Sequence, residues 1–157
     1  VCGYCKRQRL DVIVNILTNV GYHNKKITVF GGDQLRPNIH IKDMVRAYKK
    51  LIEAEDNLVN GQVFNAGWEN KSVKEIANTV KNELGKGVSL LVTPTNDNRS
   101  YHISSEKIKK VLNFETKFTI NDAVRDLKRA FEKGLLKDPL NNPNYVNIKK
   151  MQIINLN

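Results

Sequence analysis

Short strand-like runs alternate with amphipathic helical patterns along this chain, and that alternation most constrains its fold. KITVF (26–30), GQVFNAG (61–67) and VSLLV (88–92) are predicted strands, each bounded by glycine or proline. Apolar residues with helical spacing fill the intervals between them. Because helical and strand-like stretches alternate, the order predicts an α/β fold in which short strands are covered by helices.

Capping signals predict where the helices begin and end. Apolar residues recur with helical spacing over residues 10–21, and the glycine at the end of this stretch is expected to stop the first helix. Asp43 is the predicted N-cap of the second helix. Ser72 and Glu75 have the spacing of a capping box for the third helix, which Gly85 is expected to close.

The last part of the chain is predicted to contain two helices and an irregular tail. Helical spacing covers residues 105–112 and 120–133, whereas the stretch from Asp138 onward is rich in asparagine and poorly patterned. We therefore expect a lobe over residues 1–137 and a C-terminal tail over residues 138–157.

The charge of the chain limits the classes of partner. A formal net charge of +10 implies attraction to anions, which include nucleic acid, an anionic membrane surface and phosphorylated small molecules. The lysines are spread along the whole chain, which weakens the nucleic-acid interpretation. No apolar run approaches the roughly 20 residues needed to span a membrane, and no signal-peptide pattern is present, so a cytoplasmic location is expected.

A C-x-x-C pair, Cys2 and Cys5, raises the possibility of a redox centre. Such a centre needs a thiol whose pKa is lowered, and a thioredoxin-like fold needs a strand before the first cysteine, where only Val1 stands here. A zinc site would need a second ligand pair, and the histidines are scattered. We therefore expect two reduced thiols, and a small thiol oxidoreductase is the least favoured interpretation.

Three ordered motifs carry a family resemblance. VFGGDQLRPNIHIKDMVRAY (29–48) resembles the signature fG-x-G-x-x-x-R-x-x-I-H-V-x-D of the extended short-chain dehydrogenase/reductase family, which contains the nucleotide-sugar epimerases and dehydratases. VFNAGWENKSVKEIA (63–77) is similar to the family motif vyNvG-x-x-x-x-S-v-x-E-i-a. NDNRSYHISSEKIKKVLNF (96–114) is similar to the later motif D-x-R-x-y-x-x-d-x-x-K-i-x-x-x-L-g-f.

The first residues fit the same resemblance. VCGY, followed by RQRLD, is similar to the V-x-G segment that lies shortly after the catalytic Tyr-x-x-x-Lys of the family, and the chain begins without an initiator methionine. The resemblance implies an α/β fold that is the C-terminal part of an extended Rossmann-type epimerase/dehydratase, lacking the N-terminal dinucleotide-binding half. The C-x-x-C pair would then be incidental.

The resemblance also implies a cofactor, NAD or NADP, for the parent family. The glycine fingerprint and the catalytic tyrosine and lysine would lie upstream, so this chain alone is expected to bind neither cofactor and to carry no catalytic or metal-binding residue. Tyr-x-x-x-Lys does occur at Tyr22 with Lys26 and at Tyr145 with Lys149. In so lysine-rich a chain such matches are unremarkable, and we assign neither pair a catalytic role.

Five residues are candidates for substrate binding through the resemblance. It implies that Arg36 contacts the diphosphate of a nucleotide sugar and that Arg99 approaches the phosphate or the ribose. Phe30 matches an aromatic position that packs on the nucleobase. Arg9 and Asn15 lie in a segment that resembles a nucleotide-contacting part of the family.

Structural alternatives stay open for these positions. Arg36 could instead pair with Asp33 or Asp43 on the surface, and Phe30 could simply belong to the core. For His40 the resemblance implies a role in orienting its loop and not in catalysis.

The leading hypothesis is therefore the substrate-recognition portion of an NAD(P)-dependent nucleotide-sugar epimerase or dehydratase. The main rival is a non-catalytic basic module for nucleic acid, which would bind with steep salt dependence but lacks aromatic residues among its basic stretches. A separated substrate lobe would expose apolar surface that the dinucleotide-binding half normally covers. We therefore expect marginal stability, self-association or dependence on that missing half.

Overall fold

The computed structural model describes residues 1–96 and 99–156, in which helices and short strands alternate as expected. The helices are α1 (Ile13–Asn24), α2 (Ile41–Ile52), α3 (Asp56–Val59), α4 (Val73–Leu84), α5 (Glu106–Leu112), α6 (Ile120–Glu132) and α7 (Asn147–Ile153), with a 3-10 helix at Pro143–Tyr145. The strands are β1 (Lys26–Phe30), β2 (Leu35–Asn38), β3 (Glu69–Ser72) and β4 (Ser89–Thr93).

The strands form two small sheets. β1 and β4 pair in parallel, with Phe30 opposite Thr93. A parallel pair needs a long crossover, and here the crossover contains a second, antiparallel pair of β2 with β3, in which Leu35 lies opposite Ser72. Cys2 adds an isolated parallel bridge to His40. The observed elements confirm the predicted α/β fold with short strands covered by helices.

The prediction of a strand at residues 61–67 is wrong, because the strand that pairs with β2 begins only at Glu69. Val63 is 79% exposed, and Phe64 packs against the side chains of α2 and α5. The amide of Trp68 donates to the Asn38 carbonyl at 2.8 Å, and only then does the backbone run alongside β2. The segment 61–67 is therefore a connection held by side-chain packing.

Gly21 does not stop α1, contrary to the sequence prediction. The helix continues to Asn24 and ends at Lys25, whose φ of 54° is left-handed. A Cβ at Gly21 would lie 2.8 Å from Leu84 Cδ1 and 3.0 Å from Ile27 Cγ1. The glycine therefore allows α1 to approach α4 and β1 closely. In the sequence alone, a glycine needed for close packing cannot be told from one that ends a helix.

The main core lies where α1, α4 and α6 pack against one another and over the β1–β4 pair. Its fully buried side chains include Val14, Ile27, Ile76, Val80 and Val124. Two capping boxes fix the starts of the covering helices: Ser72 with Glu75, as predicted for α4, and Thr119 with Asp122 for α6. Gly85 ends α4, also as predicted.

The residues after Asp138 lie against the first helix. The amide of Leu10 donates to the Tyr145 carbonyl at 2.8 Å, and the amide of Asn147 donates to the Asp11 carboxylate at 2.9 Å. The side-chain amide of Asn19 donates to the Pro139 carbonyl at 2.8 Å. These hydrogen bonds hold α1 and the residues just before it from outside the main core.

His40, and not Asp43, is the N-cap of α2. Its Nδ1 accepts a hydrogen bond from the Lys42 amide at 3.1 Å, so the predicted Asp43 cap is wrong. The imidazole is 1% exposed and stacks on the Phe118 ring with 5.0 Å between centroids. Its Nε2 lies 3.4 Å from the Asp126 carboxylate without hydrogen-bond geometry, and burial lowers the pKa of His40.

The buried carboxylate of Asp43 connects α2 to the segment just before α6. It lies in the first turn of α2 with no exposed surface, and its carboxylate accepts from the amides of Lys117 and Phe118, both at 2.8 Å. Arg46, one turn later, pairs with the same carboxylate. One side chain therefore holds α2 against the segment that leads into α6.

Replacing Asp43 by alanine is expected to lower the free energy of unfolding by about 3–5 kcal/mol, because two amides and an arginine lose their shared acceptor. Urea unfolding followed by circular dichroism measures the change. Asp33→Ala, which removes an exposed carboxylate, is the control and should shift stability by less than about 0.5 kcal/mol. A loss below about 1 kcal/mol for Asp43→Ala would contradict the role of this carboxylate in holding α2 against the segment before α6.

Candidate functional site: a groove beside the first strand

A groove of about 600 Å³ runs between α1 and the exposed ends of β1 and β2. Its apolar wall comes from successive turns of α1, namely Ile13, Ile16, Leu17 and Val20. Arg36 lies at its polar end, where Gln34 and Thr95 also contribute to the lining. The groove therefore combines an apolar wall with a cationic end, as a ligand with one apolar and one anionic part requires.

Phe30 projects into this groove from the last position of β1. The strand buries Ile27 and Val29 in the core and turns Lys26 and Phe30 outward, following its two-residue alternation. Phe30 is 64% exposed, so it is not a core residue. The next residue, Gly31, has a φ of 77° and turns the chain away, which leaves the ring uncovered.

Arg36 contacts no carboxylate among the described residues. Its Nη1 donates to the carbonyls of Leu35 at 2.9 Å and Arg99 at 2.6 Å. Its Cζ lies 5.3 Å from the centroid of the Tyr101 ring. The suggested pairing with Asp43 is wrong, because that carboxylate is buried and held by Arg46.

Arg99 contacts Arg36 through its backbone carbonyl. The segment from Arg99 to Tyr101 runs beside β2: Ser100 Oγ accepts from the Leu35 amide at 2.9 Å, and the Tyr101 amide donates to the Leu35 carbonyl at 3.0 Å. The Arg99 carbonyl thus reaches the Arg36 guanidinium. Two parts of the sequence therefore meet here: Phe30 and Arg36 line the groove, and the backbone of Arg99 contacts Arg36.

Arg9 and Asn15 lie elsewhere, beside a cavity of about 310 Å³ formed with the first residues of the chain. Asn15 is buried: its Oδ1 accepts from the Gly3 amide at 3.0 Å and its Nδ2 donates to the Arg9 carbonyl at 2.8 Å. The Arg9 guanidinium pairs with Asp11 at 2.8 Å. The structure does not bring these two residues into the groove of Arg36, and their substrate contacts stay predictions.

Two features of the groove are missing from the sequence prediction. The wall of α1 could have been found from its apolar residues, which cover more than one side of the helix and so exceed what a single core contact needs. Tyr101 stands at the y of the family motif D-x-R-x-y, but that match does not say which residue its ring contacts. Only the pairing of its backbone with Leu35 places its ring against Arg36.

Charge distinguishes the groove from a second cavity. None of the described residues that line the groove is an aspartate or glutamate, and Lys26 and Arg36 are both present. The second cavity, of about 380 Å³, is lined by Glu106 and Glu115 as well as Lys109. An anionic ligand is therefore favoured in the groove.

The thiols do not have the properties of a redox centre. Cys2 is 3% exposed with its Sγ 3.4 Å from the Ile39 carbonyl, and burial raises the pKa of Cys2 to about 12. Burial also raises the pKa of the Cys5 thiol, and both cysteines are free. A nucleophilic thiol needs the opposite shift.

Within the described residues no group of three or more histidine, cysteine, aspartate or glutamate side chains is placed to hold a metal ion. In the same part of the chain, every helix is too short or too polar to cross a bilayer.

We expect Cys2 to resist thiol reagents in the folded chain. With a pKa of about 12, only on the order of one thiol in ten thousand is ionised at pH 8. A titration with Ellman's reagent should therefore detect Cys5 in native protein and Cys2 only after unfolding in guanidinium chloride. In Cys5→Ser the native signal should disappear, and equally fast reaction of both thiols in the native wild type would refute the burial of Cys2.

Comparisons with known proteins find one family model and several solved structures that this chain resembles. Residues 4–67 match the model of the NAD dependent epimerase/dehydratase family. The UDP-N-acetylglucosamine 4-epimerase of Bacillus cereus matches with 24% identity and a TM-score of 0.68, over 80% of this chain and 44% of that one. The UDP-glucose 4-epimerase of Thermotoga maritima, solved with UDP-glucose, matches with 22% identity and a TM-score of 0.71, over 86% and 45%.

A third match is the UDP-glucuronic acid 4-epimerase of Bacillus cereus, solved with UDP-glucuronic acid and NAD, with 22% identity and a TM-score of 0.70 over 84% of this chain and 43% of that one. At these identities the matches establish a shared α/β fold. The chain spans less than half the length of each of the three solved structures.

Proposed function

We propose that this chain is the substrate-recognition portion of an NAD(P)-dependent nucleotide-sugar epimerase or dehydratase and corresponds to the C-terminal part of such enzymes. The observation that carries the proposal is the groove in which an exposed Phe30 lies together with an Arg36 that pairs with no carboxylate of the described residues. Further support comes from the family match over residues 4–67 and from fold relatives that were solved with UDP-sugars.

The groove would bind the two halves of a nucleotide separately. The exposed face of Phe30 offers a surface for stacking the base, beside the apolar wall of α1. The Arg36 guanidinium offers planar N–H donors for phosphate oxygens. The diphosphate would therefore lie at the Arg36 end of the groove, with the sugar beyond it.

The dinucleotide would be held outside these residues. A pyrophosphate is ordinarily bound where a strand passes through a glycine-rich turn into a helix N-terminus. Here the glycine turn after β1 leads into β2 and not into a helix. The described residues thus do not fit the cofactor, which supplies hydride transfer in such enzymes, and the roles that this chain keeps are to bind and orient the substrate.

The first test is binding of UDP-, dTDP-, GDP- and CDP-glucose, with NAD and NADH as further ligands, by thermal shift and calorimetry. One nucleotide class should raise the melting temperature, and NAD and NADH should not. Arg36→Ala should weaken that binding on the order of ten- to a hundredfold, because it removes charge-assisted hydrogen bonds to phosphate.

Arg129→Ala is the matched control, since Arg129 is an exposed arginine on α6 outside the groove lining. It should leave affinity unchanged. Equal losses in both variants, together with binding of any oligonucleotide that falls steeply with salt, would replace the proposal with a basic nucleic-acid-binding module.

We also propose that the exposed apolar side of α2 is a contact surface for the dinucleotide-binding half. Val45, Tyr48 and Ile52 are 59%, 62% and 82% exposed and recur at intervals of three and four residues. Such a row on one side of a helix is ordinarily covered by another element. In the isolated chain, two copies would associate through it.

Sedimentation velocity tests this surface. The wild-type chain should show self-association that rises with concentration, and Ile52→Gln should reduce it without changing the net charge. Val63→Gln removes another highly exposed aliphatic side chain outside α2 and is the control. A wild type that stays monomeric across the concentration range would refute the contact surface.

A further inference from the structure

Three contacts fix the Arg36 side chain, and the only aromatic one among the described residues is Tyr101. The guanidinium carbon lies 5.3 Å from the centroid of that ring, within the range of a cation–π interaction. The other two contacts are carbonyl oxygens, and both are made through Nη1. The Nε and Nη2 hydrogens make no hydrogen bond to a described residue.

The position of the Tyr101 ring is set by the backbone that carries it. The amide and the carbonyl of Leu35, the residue directly before Arg36, bond to Ser100 Oγ and to the Tyr101 amide. Both partners of the ring–guanidinium contact are therefore attached to the same hydrogen-bonded crossing. Tyr101 itself is 52% exposed, so its ring is held by this crossing and not by burial in a core.

An aromatic partner leaves an arginine able to bind an anion, whereas a carboxylate would not. A carboxylate would neutralise the guanidinium and occupy the paired donors that phosphate oxygens need. A ring face attracts the cation through its quadrupole and leaves the donor edge free. The arginine is thereby held in one orientation before the ligand arrives, which reduces the side-chain entropy lost on binding.

We propose that Tyr101 is a positioning residue that holds the Arg36 guanidinium against its ring, so that the donors at Nε and Nη2 are presented to the phosphate groups of a nucleotide in the groove. The inference rests on the proposed function. To that function it adds Tyr101, which acts on Arg36 through its ring. Tyr101 needs no contact with the phosphate, and its hydroxyl group is not required for this role.

A double-mutant cycle tests the proposal with the nucleotide sugar that binds the wild type. Tyr101→Leu should weaken binding by about two- to fivefold, the range of a cation–π contact at an exposed site. Tyr101→Phe should retain the affinity, because the ring and not the hydroxyl group acts on Arg36. In the Arg36→Ala background, Tyr101→Leu should cause no further loss.

A second measurement reads the contact without any ligand. The ring current of Tyr101 should shift the Arg36 side-chain proton resonances upfield in the NMR spectrum, and the shift should persist in Tyr101→Phe and vanish in Tyr101→Leu. Its absence from the wild type would overturn the proposal.

The outcomes separate the two levels of inference. Binding that is lost in Arg36→Ala but unchanged in Tyr101→Leu overturns the positioning role alone. Equal losses from Tyr101→Leu in both backgrounds also overturn it, since Tyr101 would then act independently of Arg36. A wild type that binds no nucleotide sugar overturns the proposed function and the positioning role together.

Discussion

The buried carboxylate of Asp43 is the interaction on which the arrangement of the chain most depends. It accepts two backbone amides just before α6 and pairs with Arg46 of its own helix. α6 in turn packs on α1 and α4, and these helices cover β1. The oxygens of a carboxylate this deeply buried need hydrogen-bond partners, so the start of α6 and the start of α2 are fixed relative to each other.

The groove is a by-product of how that core is covered. α1 buries Val14 and Leu17 against α4 and α6, and its neighbouring turns leave Ile16 and Val20 beside the outward-facing Phe30. The cationic end is then added by β2 and the segment that crosses it at Leu35. The two parts of the site are thus held in place differently. The apolar wall is supported by the core, whereas Arg36 is held by hydrogen bonds to the backbone.

Local signals in the sequence predicted much of the fold, and tertiary contacts account for the errors. β1, β4 and the Ser72 capping box were recognisable because strand alternation and capping are decided by a few neighbouring residues. Gly21 and Asp43 were misread because a close helix contact and a buried carboxylate use the same residue types as a helix stop and a cap. Of the site, Phe30, Arg36 and Arg99 came from motif resemblance. Tyr101 belongs to the same motif as Arg99, but its contact with Arg36 depends on a pairing between distant segments that the motif does not reveal.

The crossing at Leu35 also orders events in time. Its bond to Ser100 joins residues 65 apart in sequence, and β1 meets β4 across a similar interval. Closing such long loops is slow compared with forming the helices between them. During synthesis the contacts that Arg36 makes with Arg99 and Tyr101 can therefore form only after the segment around residue 100 has left the ribosome, long after β2 itself has emerged.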